Sequence, residues 1–262
     1  MGGILIGILL ARTVSGVLGA HLGWRTVYFL AGGIMIGLAA TLRFCLPRSR
    51  PEKTLAYPAL LRSLWPIARQ EPVLREAALV GAAGFGAFSV FWTTLVFWLE
   101  GPAFGLGSQA AGLFGLFGVA GALAASLGGR LTDRYSRKAI SAAALVLGLL
   151  SFGLLAIAGR SLVGLGAGVV LLDLGVQLNH VANLARVHAL APEARSRLNT
   201  LYMVTYFFGG AAGTGLGAWA WSRHGWPGVC AAGALFCLAG LARLAGAPRR
   251  HSGRCVPERS AP

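Results

Sequence analysis

Runs of about twenty mostly apolar residues alternate along the chain with short segments rich in arginine, proline or glycine. Twenty helical residues rise about 30 Å, the thickness of the hydrocarbon core of a bilayer, so each run predicts a membrane-spanning helix. Eight runs can be drawn, at 2–20, 26–46, 76–98, 109–128, 139–158, 161–186, 199–221 and 227–247. The connectors are short except for 47–75, which holds Pro47, Pro51, Pro58, Pro66 and Pro72 among seven nearby cations. The expected fold is all-α, a polytopic membrane bundle of about eight transmembrane helices. It divides into a helix pair at 1–46, a linker at 47–75, a six-helix unit at 76–247 and a basic tail at 248–262. Within the linker, Leu61, Leu64, Trp65 and Ala68 recur at helical spacing, with Arg62 and Arg69 elsewhere on the wheel. That pattern suits a short interfacial helix, which Pro66 limits, and a plain tether fits it as well.

Composition changes the picture little but removes alternatives. Of 262 residues, 56% are hydrophobic and 12% charged. Soluble domains carry about 25% charged residues, so this chain cannot cover a water-facing surface. Its 39 glycines are about twice the usual share and suit close helix packing in lipid. The net charge of +15 could signal nucleic acid, so the distribution of cations decides. Nineteen of the 23 cations fall at 43–75, 130–138, 186–197 and 243–259, while the alternate connectors hold Arg25, Arg160 and Arg223. This asymmetry is the positive-inside rule: both termini are expected to be cytoplasmic, with the chain in the inner (plasma) membrane. No nucleic-acid partner is then needed to explain the charge. Cys45, Cys230, Cys237 and Cys255 have no metal-ligand spacing and read as packing residues or free thiols. The N-terminus lacks a basic n-region and cleavage site, so no signal peptide is expected.

Ionisable groups inside spans are costly, about 2.5–3.5 kcal/mol on insertion scales, and therefore informative. Arg12 and Asp173 stand out. Asp173, Gln177 and His180 follow i, i+4, i+7 and share a helical stripe. Asn179, Asn183 and Arg186 form a second stripe beside it. Acid, amide and imidazole on one face can hydrate a pathway, bind polar substrate groups or pass protons. An interhelical hydrogen-bond network that merely holds a bundle together accounts for the same residues. In the third run, Phe88 and Trp92 extend the series Gly81, Gly84, Phe85 and could line an apolar binding site or simply pack. Gly209, Gly213 and Gly217 form a small-residue ladder suited to helix packing. No nucleophile, metal cluster or phosphate loop accompanies Asp173 and His180, so neither an enzyme nor a cofactor is expected.

The connector Gly129-Arg130-Leu131-Thr132-Asp133-Arg134-Tyr135-Ser136-Arg137-Lys138 carries an acid amid four cations. It resembles the loop signature G-x-L-x-D-R-x-G-R-K of the major facilitator superfamily. Gly129, Leu131, Asp133, Arg134, Arg137 and Lys138 match, and Ser136 replaces the second glycine. Ala11-Arg12-Thr13-Val14-Ser15-Gly16 with His21-Leu22-Gly23-Trp24-Arg25 is similar to the fifth helix and outer turn of such proteins. The stretch from Pro192 to Tyr202 is similar to the loop before the eleventh, as in the arabinose-efflux-permease-like group of drug and sugar exporters. On that mapping the eight runs are helices five to twelve, and the first four are absent. The resemblance implies a secondary transporter of a small organic molecule, working by alternating access, with protons as the candidate coupling ion. It also implies that Gly129, Asp133, Arg134, Arg137 and Lys138 form a conformational latch, with Asp133 near the helix start around Gly2 to Ile6. The antiporter signature of the family is partly present, since Gly7 and Gly16 keep one spacing but no proline follows. The alternative is a non-transporting remnant, or a lobe that packs with another chain.

Overall fold

Lipid offers no partners to backbone N–H and C=O groups, so the apolar runs must satisfy them internally as helices. The computed structural model of the protein bears this out over residues 14–19, 21–46, 57–118, 134–191 and 194–246, with Gly7 and Ala11, which are the residues it describes. The elements are α1 (Trp24–Cys45), α2 (Tyr57–Gln70), α3 (Pro72–Glu100), α4 (Ser108–Phe114), α5 (Arg137–Ala158), α6 (Leu162–His188) and α7 (Arg195–Ala245). A 3-10 turn, Gly115–Gly118, continues α4. Helices α1, α3, α5, α6 and α7 are long and apolar enough to cross a membrane.

The 51-residue α7 covers two of the expected spans. It is broken at Gly225, where φ is 59° and ψ is −147°, a left-handed backbone that glycine tolerates. Pro227 lies in the first turn beyond the break, where its missing N–H costs nothing. The arms 195–224 and 226–245 therefore pass in opposite directions. Likewise Gly23, φ 80°, separates helical residues 14–19 and 21–22 from α1. Among the described residues α1 buries none of its side chains.

The core is built by α3, α5, α6 and α7. Between lipid-soluble helices the hydrophobic effect is weak, so close packing and hydrogen bonds carry association. The glycine ladder supplies the packing between α3 and α7. A Cβ on Gly209 would collide with the backbone of Ala82, one on Gly213 with the backbone of Gly86, and one on Gly217 would lie 3.0 Å from Val90 Cα. At one end of the bundle, Leu74, Ala77, Leu184, Val187, Leu198 and Tyr202 pack together, with Ile67 of α2 against them. This end also carries Lys138 and Arg186 and is called the basic end.

The opposite end is closed by tryptophans. Trp98 and Trp226 stack with centroids 4.8 Å apart and planes at 10°. Their indole N–H groups donate to the carbonyls of Gly159 and Leu155, each at 2.9 Å. The Leu155 carbonyl also accepts from the Gly159 N–H at 3.0 Å, so Trp226 is its second donor, whereas Trp98 reaches the carbonyl of Gly159 just past the end of α5.

Because the α3–α7 contact has no slack, Gly213→Ala should lower stability by about 1–3 kcal/mol. Gly215, with nothing within 4 Å of its would-be Cβ, provides the control: Gly215→Ala should be neutral or slightly stabilising, since alanine is the better helix former. Thermal unfolding in detergent compares the two, and equal effects would reject the packing role.

Candidate functional site

Helix α6 concentrates the polar chemistry, and its two stripes meet different partners. On the first stripe, Asp173 is 6% exposed and accepts a hydrogen bond of 3.3 Å from Trp92 Nε1 of α3. Half-buried Gln177 lies one turn on. His180, one further turn along, has its Nδ1 3.2 Å from the hydroxyl of Tyr202 on α7. Its ring also packs on Tyr206, with centroids 4.7 Å apart.

An aromatic row joins the two ends of this stripe. Tyr206 stacks on Phe85 at 4.3 Å, Phe85 on Phe88 at 5.7 Å, and Phe88 approaches Trp92 at 5.9 Å. The sequence places Phe85, Phe88 and Trp92 on one face of α3 through i, i+3, i+7 spacing, and glycines on facing elements make room. A Cβ on Gly210 would collide with the Phe85 ring, and one on Gly81 would lie 2.7 Å from the Tyr202 hydroxyl. Asp173, His180, Phe88 and Trp92, each a sequence candidate, are thus brought to one seam between α3, α6 and α7. A small cavity between α3, α5, α6 and α7 is a separate feature. Gly84, Ala87, Leu172, Gly175, Val176 and Cys237 line it, Asn179 is polar there, and Asp173, Gln177 and His180 do not take part.

The second stripe of α6 forms an internal tie. Asn179 Nδ2 donates to the Val80 carbonyl of α3 at 3.0 Å. Asn183, fully buried, donates to the carbonyl and side-chain oxygens of Asn179, both at 2.8 Å. Arg186 Nη1 donates to Asn183 Oδ1 at 3.2 Å. Its Nη2 meets Glu76 Oε1 at 2.8 Å, an ion pair whose side chains are 11% and 10% exposed. Asn183 therefore reaches Glu76 through Arg186 and lies apart from the aromatic seam.

Of the basic connector, the structure describes the last residues. Arg134 is exposed, Arg137 Nη1 donates to the Ala185 carbonyl at 3.3 Å, and Lys138 pairs with Glu76 at 3.5 Å. Arg12, Gly129 and Asp133 lie outside the described residues. Glu76 is the residue that sequence reasoning missed. It is the first residue of its expected span, whereas the helix starts four residues earlier, at Pro72, which places Glu76 inside it. Tyr202 and Tyr206 were missed as well, although their i, i+4 spacing just before the glycine ladder marks a buried aromatic face.

Residues 1–181 and 104–262 each match the family model described as Major Facilitator Superfamily. The chain is 42% identical over 241 residues to the uncharacterized transporter YgaY of Escherichia coli O157:H7, covering 92% of this chain and 61% of that protein. It is 34% identical over 253 residues to a Streptomyces coelicolor protein named as a probable transporter, SCO4007, covering 95% of this chain and 58% of that protein. The chain thus spans about three-fifths of the length of these curated relatives.

Removing one partner of a buried ion pair strands the other charge. Glu76→Ala should therefore cost about 3–5 kcal/mol through Arg186. Lys138, with a side chain 39% exposed, is screened by solvent, and Lys138→Ala should cost about 0–1 kcal/mol. Unfolding of the two variants in detergent measures the contrast, and a Glu76→Ala protein as stable as the parent would remove the tie.

Proposed function

Because the chain belongs to the major facilitator superfamily, we propose that it is a secondary transporter that exports a small organic compound by alternating access. The observation that carries this reading is the seam where the Asp173 carboxylate and the His180 imidazole meet the aromatic row of α3 and α7. Aromatic faces bind the apolar body of a drug-sized or sugar-like solute, and a few fixed polar groups orient it. Asp173, Gln177 and His180 supply those groups on α6, Phe88 and Trp92 the apolar wall on α3, and Arg12 a cation from the N-terminal helix pair. Intramembrane acids and imidazoles also serve proton relays, which makes protons the candidate coupling ion.

In this reading the basic end faces the cytoplasm, as the cation asymmetry favours, and both termini lie there. The connector residues Gly129, Asp133, Arg134, Arg137 and Lys138 act as the conformational latch. The Glu76 tie holds Lys138 and Arg186 together, so that the basic ends of α3, α5 and α6 move as one piece. The alternative, a lobe that packs with another chain without transporting, is favoured by α1, which buries none of its side chains among the described residues.

Efflux of ethidium, and separately of labelled arabinose, from cells producing the chain tests the reading at two external pH values. The parent should lower accumulation of one probe in a pH-dependent way. Asp173→Asn preserves size and hydrogen bonding while removing the titrating charge, so it should insert at the parent level with a flux ratio between the two pH values of about one. An unchanged pH response in Asp173→Asn sinks the coupling role. No flux from a well-inserted parent, together with co-purification of a second chain, supports the alternative.

A further inference from the structure

Helix α2 has two faces of different character. Ser63, Leu64, Ile67 and Ala68 are half-buried, and Ile67 packs on the core at the basic end. Arg197 of α7 donates to Ser63 Oγ at 3.3 Å, which fixes the helix against the bundle. The other face holds Leu61, 49% exposed, and Trp65, 73% exposed, with exposed Arg62 and Arg69 beside them. At 100° per residue, these four side chains fall within about a third of the helix circumference. The sequence of α2 contains no acid, and among the described residues neither arginine makes an ion pair. Of the described acids near α2, Glu76 is held by Arg186 and Lys138, and Glu71 is half-buried at the junction with α3.

We propose that α2 is a docking helix for anionic lipid headgroups, with Leu61 and Trp65 seated in the interface and Arg62 and Arg69 held by lipid phosphate. The indole is suited to the headgroup level, with an apolar body and one N–H donor. The guanidinium groups supply bidentate donors to phosphate oxygens. Charge complementarity selects lipid over a protein partner: two cations that make no ion pair among the described residues flank an apolar stripe of two side chains, the composition of a helix lying in a headgroup plane. The helix ends immediately before a helix long and apolar enough to span, whose start belongs at headgroup level. One residue, Glu71, separates α2 from α3, and the Ile67 carbonyl accepts from the Glu71 N–H at 3.1 Å. Docking of α2 therefore fixes the start of α3 as well. This inference stands apart from transport and needs no substrate.

Hydrogen exchange of the whole chain tests it, in vesicles of phosphatidylcholine alone and of phosphatidylcholine with about a third phosphatidylglycerol. Each cation near an anionic surface contributes about fivefold, so two should slow exchange of the 57–70 amides by about 30-fold in the anionic vesicles. High salt and Arg62→Gln/Arg69→Gln should each abolish that difference, while α5 exchanges equally throughout. Equal exchange of 57–70 in the two vesicles overturns the proposal. So does protection in both vesicles that survives the double substitution, since a protein surface would then be covering α2. As a check that the double variant is folded, its α5 and α6 amides must match the parent.

Discussion

Helices α3 and α7 meet backbone to backbone, and much of the chemistry of the bundle depends on that contact. With glycine at 209, 213 and 217, no side chain separates the two axes. The aromatic groups nearby are consequently forced into register: Phe85 is received over Gly210, Tyr206 stacks on Phe85, and Tyr202 fills the space above Gly81. The row ends at Trp92, whose indole reaches Asp173. A polar group in the middle of an apolar bundle is thus positioned by the absence of side chains two helices away.

The same economy governs the charges. A carboxylate within a span needs partners because its alternatives are hydrocarbon and an empty site. Glu76 is met by a guanidinium in the same low-dielectric interior, and the chain Arg186–Asn183–Asn179 carries the hydrogen bonding two turns deeper, to a backbone carbonyl of α3. One stripe of α6 therefore spends its polar groups on other protein groups. On the neighbouring stripe, Asp173 and His180 meet aromatic side chains. The two stripes are about a third of a turn apart on one helix and meet different partners.

The sequence makes the helical class and most of the spans plain, because twenty apolar residues in a row admit few structures in lipid. The polar face of α6 was legible for the same reason: Asp173 and His180 are conspicuous against Leu and Val. Glu76 was harder to see, since a charge at the edge of a hydropathy window looks like solvent contact until the helix start is known. The stacked pair of Trp98 and Trp226 could not be read at all. These residues are 128 positions apart, and only the turn at Gly225 brings them together. Contacts made by tertiary folding leave no local periodicity. The different partners of the two stripes of α6 were equally hidden, because spacing fixes which residues share a face and leaves open what that face meets.

The tryptophan end is assembled from very short turns. Residues 101–107 join α3 to α4, three residues join α5 to α6, and a single glycine reverses α7. Beneath them the indoles of Trp98 and Trp226 donate to carbonyls in the last turn of α5 and just past its end. Digestive enzymes bind an extended stretch of backbone before they cut, and exposed loop tips are where they find one. This face offers little of that kind. Proteases or antibodies applied from that side encounter a nearly loop-free surface, so peptide tags meant to report from it belong in 101–107, where the backbone already leaves the helix.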